Sequence, residues 1–273
     1  MNSENVSFTP LRISTLVTTG HLGTTINLTT LFDQIATLMI PIGYPDEGFL
    51  KMEHETRVIG NSARDLLTKR RASDKTFFNQ STLVLRKRKE DGELKEVNVK
   101  LFANGGFQMT GVTHEEFSRE VILWMIEQFR GLATPISPTP MSLVKFNVQL
   151  LNSDYKINAL IKRAELHRIL CEQYHLSSSL ETTIYQGVNT KYYYNKEGKG
   201  NRGICRCPRF CSGQGNGETT GTCKRITIAA FQTGSIIITG ARTQDQLDEA
   251  YDFMNMVLRT HARDVTRPAA EKV

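Results

Sequence analysis

An internal repeat is the feature of this sequence that most restricts its fold. The segment Val99–Val112 reads VKLFANGGFQMTGV, and a related segment, IAAFQTGSIIITGA, follows 129 residues later at Ile228–Ala241. Each segment predicts a strand, a glycine-containing turn, a second strand and a Thr-Gly break, and an amphipathic helical pattern follows both. A chain that contains this unit twice is expected to fold as two related halves.

A second match lies upstream of the first, where Phe78–Val84 runs parallel to Tyr185–Lys191 at an offset of 107 residues. Because the offset changes between the two matches, the halves must carry different insertions. We predict a first repeat over residues 1–135 with an insertion at about 43–75, and a second repeat over 136–273 with a Cys- and Gly-rich insertion at about 196–224.

Hairpin strands with few helices are typical of the α+β class with an antiparallel sheet. The tandem arrangement favours one continuous, curved, pseudo-symmetric sheet whose helices lie on one side. The other side of the sheet is then left bare. A bare sheet face either binds a ligand or is covered by a partner.

The composition excludes several classes of protein. No apolar run approaches the roughly 20 residues of a membrane span, and the odd count of five cysteines favours a reducing, intracellular compartment over a disulfide framework. The 34 Lys and Arg residues exceed the 28 Asp and Glu residues, which favours a polyanionic partner such as nucleic acid. No set of residues typical of a catalytic site is present, so we expect neither enzymatic activity nor a small-molecule substrate.

The repeated segments resemble the TATA-box-binding protein (TBP) family. The closest pieces are LFANGGFQMTG at Leu101–Gly111 and FQTGSIIITG at Phe231–Gly240, and LVTTGHLG at Leu16–Gly23 resembles the first strand and turn of the family. The divergence and the insertions resemble the TBP-like proteins of large DNA viruses. The resemblance implies a saddle whose concave sheet lies in a widened DNA minor groove, with the helices on the convex face.

The resemblance also implies roles for individual residues. The four intercalating aromatic positions of the family correspond to Phe78, Phe102, Tyr185 and Phe231, with Phe77 as an alternative to Phe78. The central base-contacting asparagine corresponds to Asn147, and the matching position of the first half to Thr15. The threonines of the two Thr-Gly breaks are Thr110 and Thr239.

Strand alternation extends this set, because side chains two residues apart point to the same side of a sheet. A face that mixes polar and apolar side chains suits a minor groove. Amides and hydroxyls can donate to the base acceptors, apolar side chains can pack on the sugars, and cations can reach phosphates. Lys100 replaces an aliphatic residue of the family, and a basic run such as Arg86–Lys89 is more often a solvated edge strand than a phosphate-binding one. The residues added to the predicted face are Lys100, Gln108, Arg86, Arg88, Lys191 and Ile237.

Four of the five cysteines lie in the second insertion, at Cys205, Cys207, Cys211 and Cys223. Four thiolates can close a structural, tetrahedral zinc site. The paired CxxC knuckles typical of such sites are absent, so a glycine-rich hairpin tip with free thiols is the alternative. No other cofactor is expected.

The resemblance implies a TBP-like transcription initiation factor that binds AT-rich promoter elements in double-stranded DNA and bends them with aromatic wedges. Its partners would be a transcription factor IIB-like factor and RNA polymerase, in the nucleus or, for a viral protein, in the host cytoplasm, a viral factory or the virion. The alternative is a protein-interaction scaffold of the same fold with weak or non-specific DNA binding.

Overall fold

The computed structural model describes residues 6–67, 78–198 and 200–268. The chain divides into two compact units, Thr15–Gln149 (the first unit) and Met1–Ser14 together with Leu150–Val273 (the second unit). The expected repeat boundary near residue 135 stays a prediction, because compactness and sequence repetition need not divide a chain at the same residue.

The first unit is built on an antiparallel sheet with the strand order β3-β2-β4-β5-β6-β1. Its elements are β1 (Arg12–His21), α1 (Leu28–Gln34), a 3₁₀ turn (Ile35–Leu38), β2 (Gly48–His54), β3 (Arg57–Gly60), α2 (Ala63–Leu67), β4 (Gln80–Arg88), β5 (Leu94–Phe102), β6 (Gly106–Val112) and α3 (Glu115–Arg130).

The second unit has an antiparallel sheet with the order β7-β12-β11-β10-β9 and a separate two-stranded pairing of β8 with β13. Its elements are β7 (Lys145–Lys156), β8 (Ala159–Ile161), α4 (Arg163–Glu172), β9 (Ser177–Ser179), β10 (Val188–Tyr194), β11 (Lys224–Ala230), β12 (Ser235–Ala241), α5 (Gln244–Thr260), α6 (Ala262–Val265) and β13 (Thr266–Pro268).

The two sheets repeat one topology, since β1-β6-β5-β4-β2 and β7-β12-β11-β10-β9 follow the same order along the chain. Their strand registers also agree. Lys100 lies between Thr82 and Gln108, and Ala229 lies between Asn189 and Ile237. These partners are separated by the two sequence offsets, so the predicted α+β class and its tandem repeat are confirmed.

Glycine is required in the repeated hairpin turn. Gly105 and Gly234 hold equivalent turn positions with φ of 88° and 82°. A Cβ would lie 1.8 Å from the Thr24 carbonyl oxygen at the first position and 2.4 Å from the Ala159 carbonyl oxygen at the second. Positive φ and the close backbone approach both exclude other residues, which explains why the turn motif appears in both halves.

The core of each unit lies between its sheet and its longest helix. Val99 and Leu101 of β5 and Ile236 and Ile238 of β12 are fully buried, whereas the residues between them are not. The apolar stripe of α5 packs on this side, and the helix begins where the Thr243 hydroxyl accepts a hydrogen bond from the Gln246 amide at 3.4 Å.

The two predicted insertions differ in structure. The described part of the first contains β2, β3 and α2, whereas residues 68–75 lie outside the described residues. The described part of the second forms turns and one isolated bridge, between Gln214 and Lys224. None of the helices in the described part of the chain combines the length and apolar character that a membrane crossing requires.

Candidate nucleic-acid interface

Every second residue of the central strands lies on the side of the sheet opposite the long helices α3 and α5, and we call this side the open face of each unit. In the first unit the open face carries Thr82, Val84, Asn98, Lys100, Gln108 and Thr110. Register-equivalent positions of the second unit carry Asn189, Lys191, Thr227, Ala229, Ile237 and Thr239. Small, hydroxyl and amide side chains therefore occupy much of both open faces.

The threonines of the two Thr-Gly breaks have equivalent surroundings. Thr110 lies opposite Asn98, and Thr239 lies opposite Thr227. Both threonines are half-buried. Each unit therefore presents a hydroxyl at the same point of its open face, next to a second hydrogen-bonding side chain.

Two aromatic rings meet on the open face of the second unit. The rings of Tyr185 and Phe231 are arranged edge to face, with centroids 5.5 Å apart and an interplanar angle of 63°. Both rings pack over Gly187, where a Cβ would lie 2.9 Å from the Tyr185 ring and 3.2 Å from the Phe231 ring. The Tyr185 side of the pair faces solvent, since Tyr185 is 40% exposed.

The first unit presents its two aromatic residues differently. Phe102 is half-buried and borders a shallow depression of about 370 Å³ that Gly106 and Gln108 also line. Phe78 is 70% exposed and lies in the turn before β4, two residues from Gln80, the strand partner of Phe102. Phe77, the alternative to Phe78, lies outside the described residues.

Two cations lie on the open face of the second unit. The Lys191 ammonium donates a hydrogen bond to the Thr227 hydroxyl at 3.0 Å, and burial together with the nearby Arg225 guanidinium lowers the pKa of Lys191. Arg225 is exposed on the adjacent strand. No carboxylate among the described residues forms an ion pair with either side chain, so this patch is available to an anion.

The first unit carries carboxylates in the corresponding region. Lys51 is bound by Glu53 at 2.6 Å and by Asp65 of α2 at 3.0 Å. These groups, with Glu96 and the exposed Lys100, line an open cavity of about 550 Å³. Helix α2 of the first insertion thus lies against this open face, which sequence reasoning missed because the insertion carries no motif that fixes its position.

Arg86 has a structural role that differs from the predicted phosphate contact. It is 8% exposed, and its guanidinium donates to the carbonyls of Ile42 and Tyr44 at 2.5 Å each and lies 3.8 Å from the Glu96 carboxylate. A guanidinium committed to these acceptors is not free to reach a phosphate. We therefore leave Arg86 out of the interface.

Arg88 and its neighbours are balanced by local acids. Arg88 donates to the carbonyl of Gly92 and pairs with Asp46 at 3.5 Å, and Lys87 pairs with Glu47 at 2.6 Å. The alternative of an edge strand is wrong, because β4 lies between β2 and β5. The basic run contributes little free positive charge.

Thr15 and Asn147 are not equivalent positions of the repeat, contrary to the expectation from the sequence. Thr18 lies opposite Met109 and Ser153 lies opposite Ile238, which relates β1 to β7 by 135 residues. This offset matches Thr15 to Leu150. Because β7 carries no motif that matches the one of β1, sequence comparison placed the gap three residues away from its structural position.

The four cysteines of the second insertion converge. Their Sγ atoms all lie within 4.8 Å of one another, although Cys205 and Cys223 are 18 residues apart in the chain. The fifth cysteine, Cys171, lies on α4. The donor set is therefore four thiols in one small volume.

One comparison with known proteins agrees with the resemblance found in the sequence. No protein-family model matches the chain. A protein of Acanthamoeba polyphaga mimivirus described as "TATA-box-binding protein-like" is 30% identical over 213 residues, a match that covers 73% of this chain and 53% of that protein. The chain thus spans about half the length of this relative. Among solved structures, Methanococcus jannaschii TBP aligns with a TM-score of 0.47 and 12% identity, over 92% of this chain and 99% of that one.

Proposed function

We propose that this chain, which is similar in sequence to the TATA-box-binding-protein-like protein of mimivirus, is a DNA-binding transcription initiation factor. The open faces of its two units contact the minor groove of AT-rich promoter DNA. The observation that carries this proposal is the occurrence of aromatic and hydroxyl side chains at register-equivalent positions of both open faces.

The chemistry of these side chains suits a minor groove. Its floor offers the acceptors adenine N3 and thymine O2 and few other groups. The hydroxyls of Thr110 and Thr239 and the amide of Gln108 can donate to these acceptors, and Ile237 can pack on the sugars. A surface of this kind favours A·T over G·C pairs, because guanine adds an amino group to the groove floor.

The aromatic residues act as wedges in this proposal. Phe231 with Tyr185, and Phe102 with Phe78, stand at the equivalent edge of each open face. Insertion of such a ring between base pairs costs a few kcal/mol of unstacking, which the contacts of the bent duplex offset. The exposed rings of Phe78 and Tyr185 would enter the duplex, with Phe102 and Phe231 behind them.

The two units contribute unequally to phosphate binding. Lys191 and Arg225 give the second unit a cationic patch. On the open face of the first unit, the carboxylates Glu53, Asp65 and Glu96 offset the cations Lys51, Arg64 and Lys100. Electrostatic attraction to the phosphates therefore acts mainly on the second unit. We propose that this unit provides most of the salt-dependent affinity.

Protein partners would bind the helices. The outer surface of α3 is exposed and carries charged residues and one large apolar side chain, Leu123, which is 51% exposed. A transcription factor IIB-like factor and RNA polymerase are the partners proposed for such helical surfaces. The protein would act wherever the template DNA is transcribed.

A protein-interaction scaffold with weak DNA binding is the second candidate function. It is favoured by the position of α2, whose Asp65 lies with Lys100 in the cavity on the first open face. A segment in this position limits the approach of a duplex to that unit.

A bandshift titration on AT-rich and GC-rich duplexes at several salt concentrations tests the proposal. Wild-type protein is compared with Phe102→Ala and Phe231→Ala, and with Phe210→Ala as a matched control, because Phe210 is 94% exposed in the second insertion. We expect a preference for the AT-rich duplex that both open-face variants reduce and the control retains. Equal, purely salt-driven binding that neither open-face variant alters would support the scaffold instead.

A further inference from the structure

We infer that Cys205, Cys207, Cys211 and Cys223 bind one structural zinc ion as four thiolate ligands. The inference concerns residues 196–223, the part of the second insertion before β11, which we call the cysteine loop. It is independent of the proposed DNA binding, because none of the four sulfurs belongs to the open-face residues described above.

The sulfur positions match a tetrahedral site. The Cys207 and Cys223 sulfurs are 3.4 Å apart and those of Cys205 and Cys223 are 3.8 Å apart. All four lie within 4.8 Å of one another. Zinc–sulfur bonds of about 2.3 Å in a tetrahedron separate neighbouring sulfurs by about 3.8 Å, so small side-chain adjustments suffice to close the site.

Hydrogen-bond donors already point at the sulfurs. The Gly221 amide donates to the Cys207 sulfur at 3.1 Å, and the side-chain amide of Asn195 donates to the Cys223 sulfur at 3.4 Å. Such donors stabilise thiolates and orient them toward a metal. Their presence distinguishes this cluster from thiols that merely share a turn.

The cysteine loop buries little apolar surface, and hydrogen bonds hold most of it, such as those from the Lys196 amide to the Gly217 carbonyl at 2.8 Å and from the Thr220 amide to the Glu197 carboxylate at 2.7 Å. Its described residues form no helix and only the single bridge at Gln214, and its packing on the sheet uses glycines, with Gly203 against the ring of Tyr192 and Gly217 against the ring of Tyr194. Apolar burial therefore contributes little to offset the ordering entropy of this loop. A metal ion supplies that free energy directly, because its binding is coupled to folding of the site.

The donor set selects the metal. Four thiolates are typical of zinc and of iron–sulfur centres, and the basic residues Arg202, Arg206 and Arg209 of the same loop offset the net negative charge of a zinc tetrathiolate. Zinc has no redox chemistry and suits a site whose role is structural. Its role is to fix the loop against β10 and β11.

Metal analysis of the full chain tests the inference. Protein is purified under reducing conditions without chelator, and its zinc content is measured by inductively coupled plasma mass spectrometry. We expect one zinc per chain in the wild type and a loss of stoichiometric zinc in Cys207→Ser and Cys223→Ser. Cys171→Ser, on α4, is the matched control and should retain the metal.

A second measurement keeps the test decisive if the serine variants fail to fold. Cobalt added to the chelator-treated wild type should give the intense visible bands of a tetrahedral tetrathiolate, and zinc should abolish them by competition. Native mass spectrometry separates a zinc adduct from loss of thiol hydrogens in disulfides. Wild-type protein without stoichiometric zinc, with iron in its place, or with no cobalt spectrum would overturn the inference whether or not the protein binds DNA.

Discussion

The ring of Tyr185 stands edge-on to the ring of Phe231, with centroids 5.5 Å apart, above the bare backbone of Gly187. The pair joins residues 46 positions apart in the chain and lies at the edge of the second open face. Because the Phe231 ring supports the Tyr185 ring, loss of either ring changes the shape of the whole wedge.

Removal of the supporting ring should therefore weaken DNA binding strongly. We expect Phe231→Ala and Tyr185→Ala each to lower affinity for an AT-rich duplex by about 1–3 kcal/mol, the usual value for loss of a base-stacking aromatic residue. The double variant should lose less than the sum, since the rings act together. Fluorescence anisotropy measures the affinities, and strictly additive losses would contradict a shared wedge.

Lys191 should account for about one phosphate contact. Lys191→Ala is expected to reduce the slope of log affinity against log salt by about 1, because no carboxylate among the described residues neutralises this side chain. The matched control is Arg168→Ala on α4, whose guanidinium pairs with Glu165 and Glu172. An unchanged slope for Lys191→Ala would remove this lysine from the interface.

Arg86 should contribute to the stability of the fold and not to DNA binding. Arg86→Met leaves the carbonyls of Ile42 and Tyr44 without their donor, and we expect a loss of about 2–4 kcal/mol in the free energy of unfolding. Urea denaturation measures this loss, and the salt dependence of DNA binding should not change. Arg88→Ala, at a more exposed guanidinium, should cost less than about 1 kcal/mol.

The Asp65 carboxylate should make the free energy of unfolding of the first unit depend on pH. Burial opposes its ionisation, but hydrogen bonds from Ser62 and Lys51 outweigh burial and lower the pKa of Asp65 from 3.8 to about 2. A carboxylate whose pKa is lower in the folded than in the unfolded chain stabilises the fold when the pH is above the unfolded-state pKa. This contribution is lost as the pH falls toward the folded-state pKa.

We therefore expect Asp65→Asn to be less stable than wild type by about 1–2 kcal/mol at pH 7. The difference should shrink between pH 4 and pH 2, as denaturant titrations at several pH values can measure. Asp252→Asn, at an exposed residue of α5, is the control and should show no such trend. A difference that stays constant with pH would mean that the Asp65 carboxylate contributes no ionisation-linked stability.

The sequence was sufficient for features that depend on local geometry. Gly105 and Gly234 mark equivalent turns because only glycine tolerates their positive φ and close backbone contacts. The alternation around Phe102 and Phe231 identified the open-face positions, since side chains on a strand point to opposite sides in turn. The repeat therefore predicted the fold class and much of the candidate interface.

Only the tertiary structure decided what depends on contacts between distant segments. The donors of Arg86 point at Ile42 and Tyr44, more than 40 residues away, so its commitment was invisible in the basic run. Asp65 of α2 lies beside the open face of the first unit. The strand registers of β1 and β7 show that Thr15 and Asn147 do not occupy equivalent positions of the repeat. Sequence patterns record which side of a strand faces the core, but they do not record which distant carbonyl, carboxylate or sulfur a side chain meets after folding.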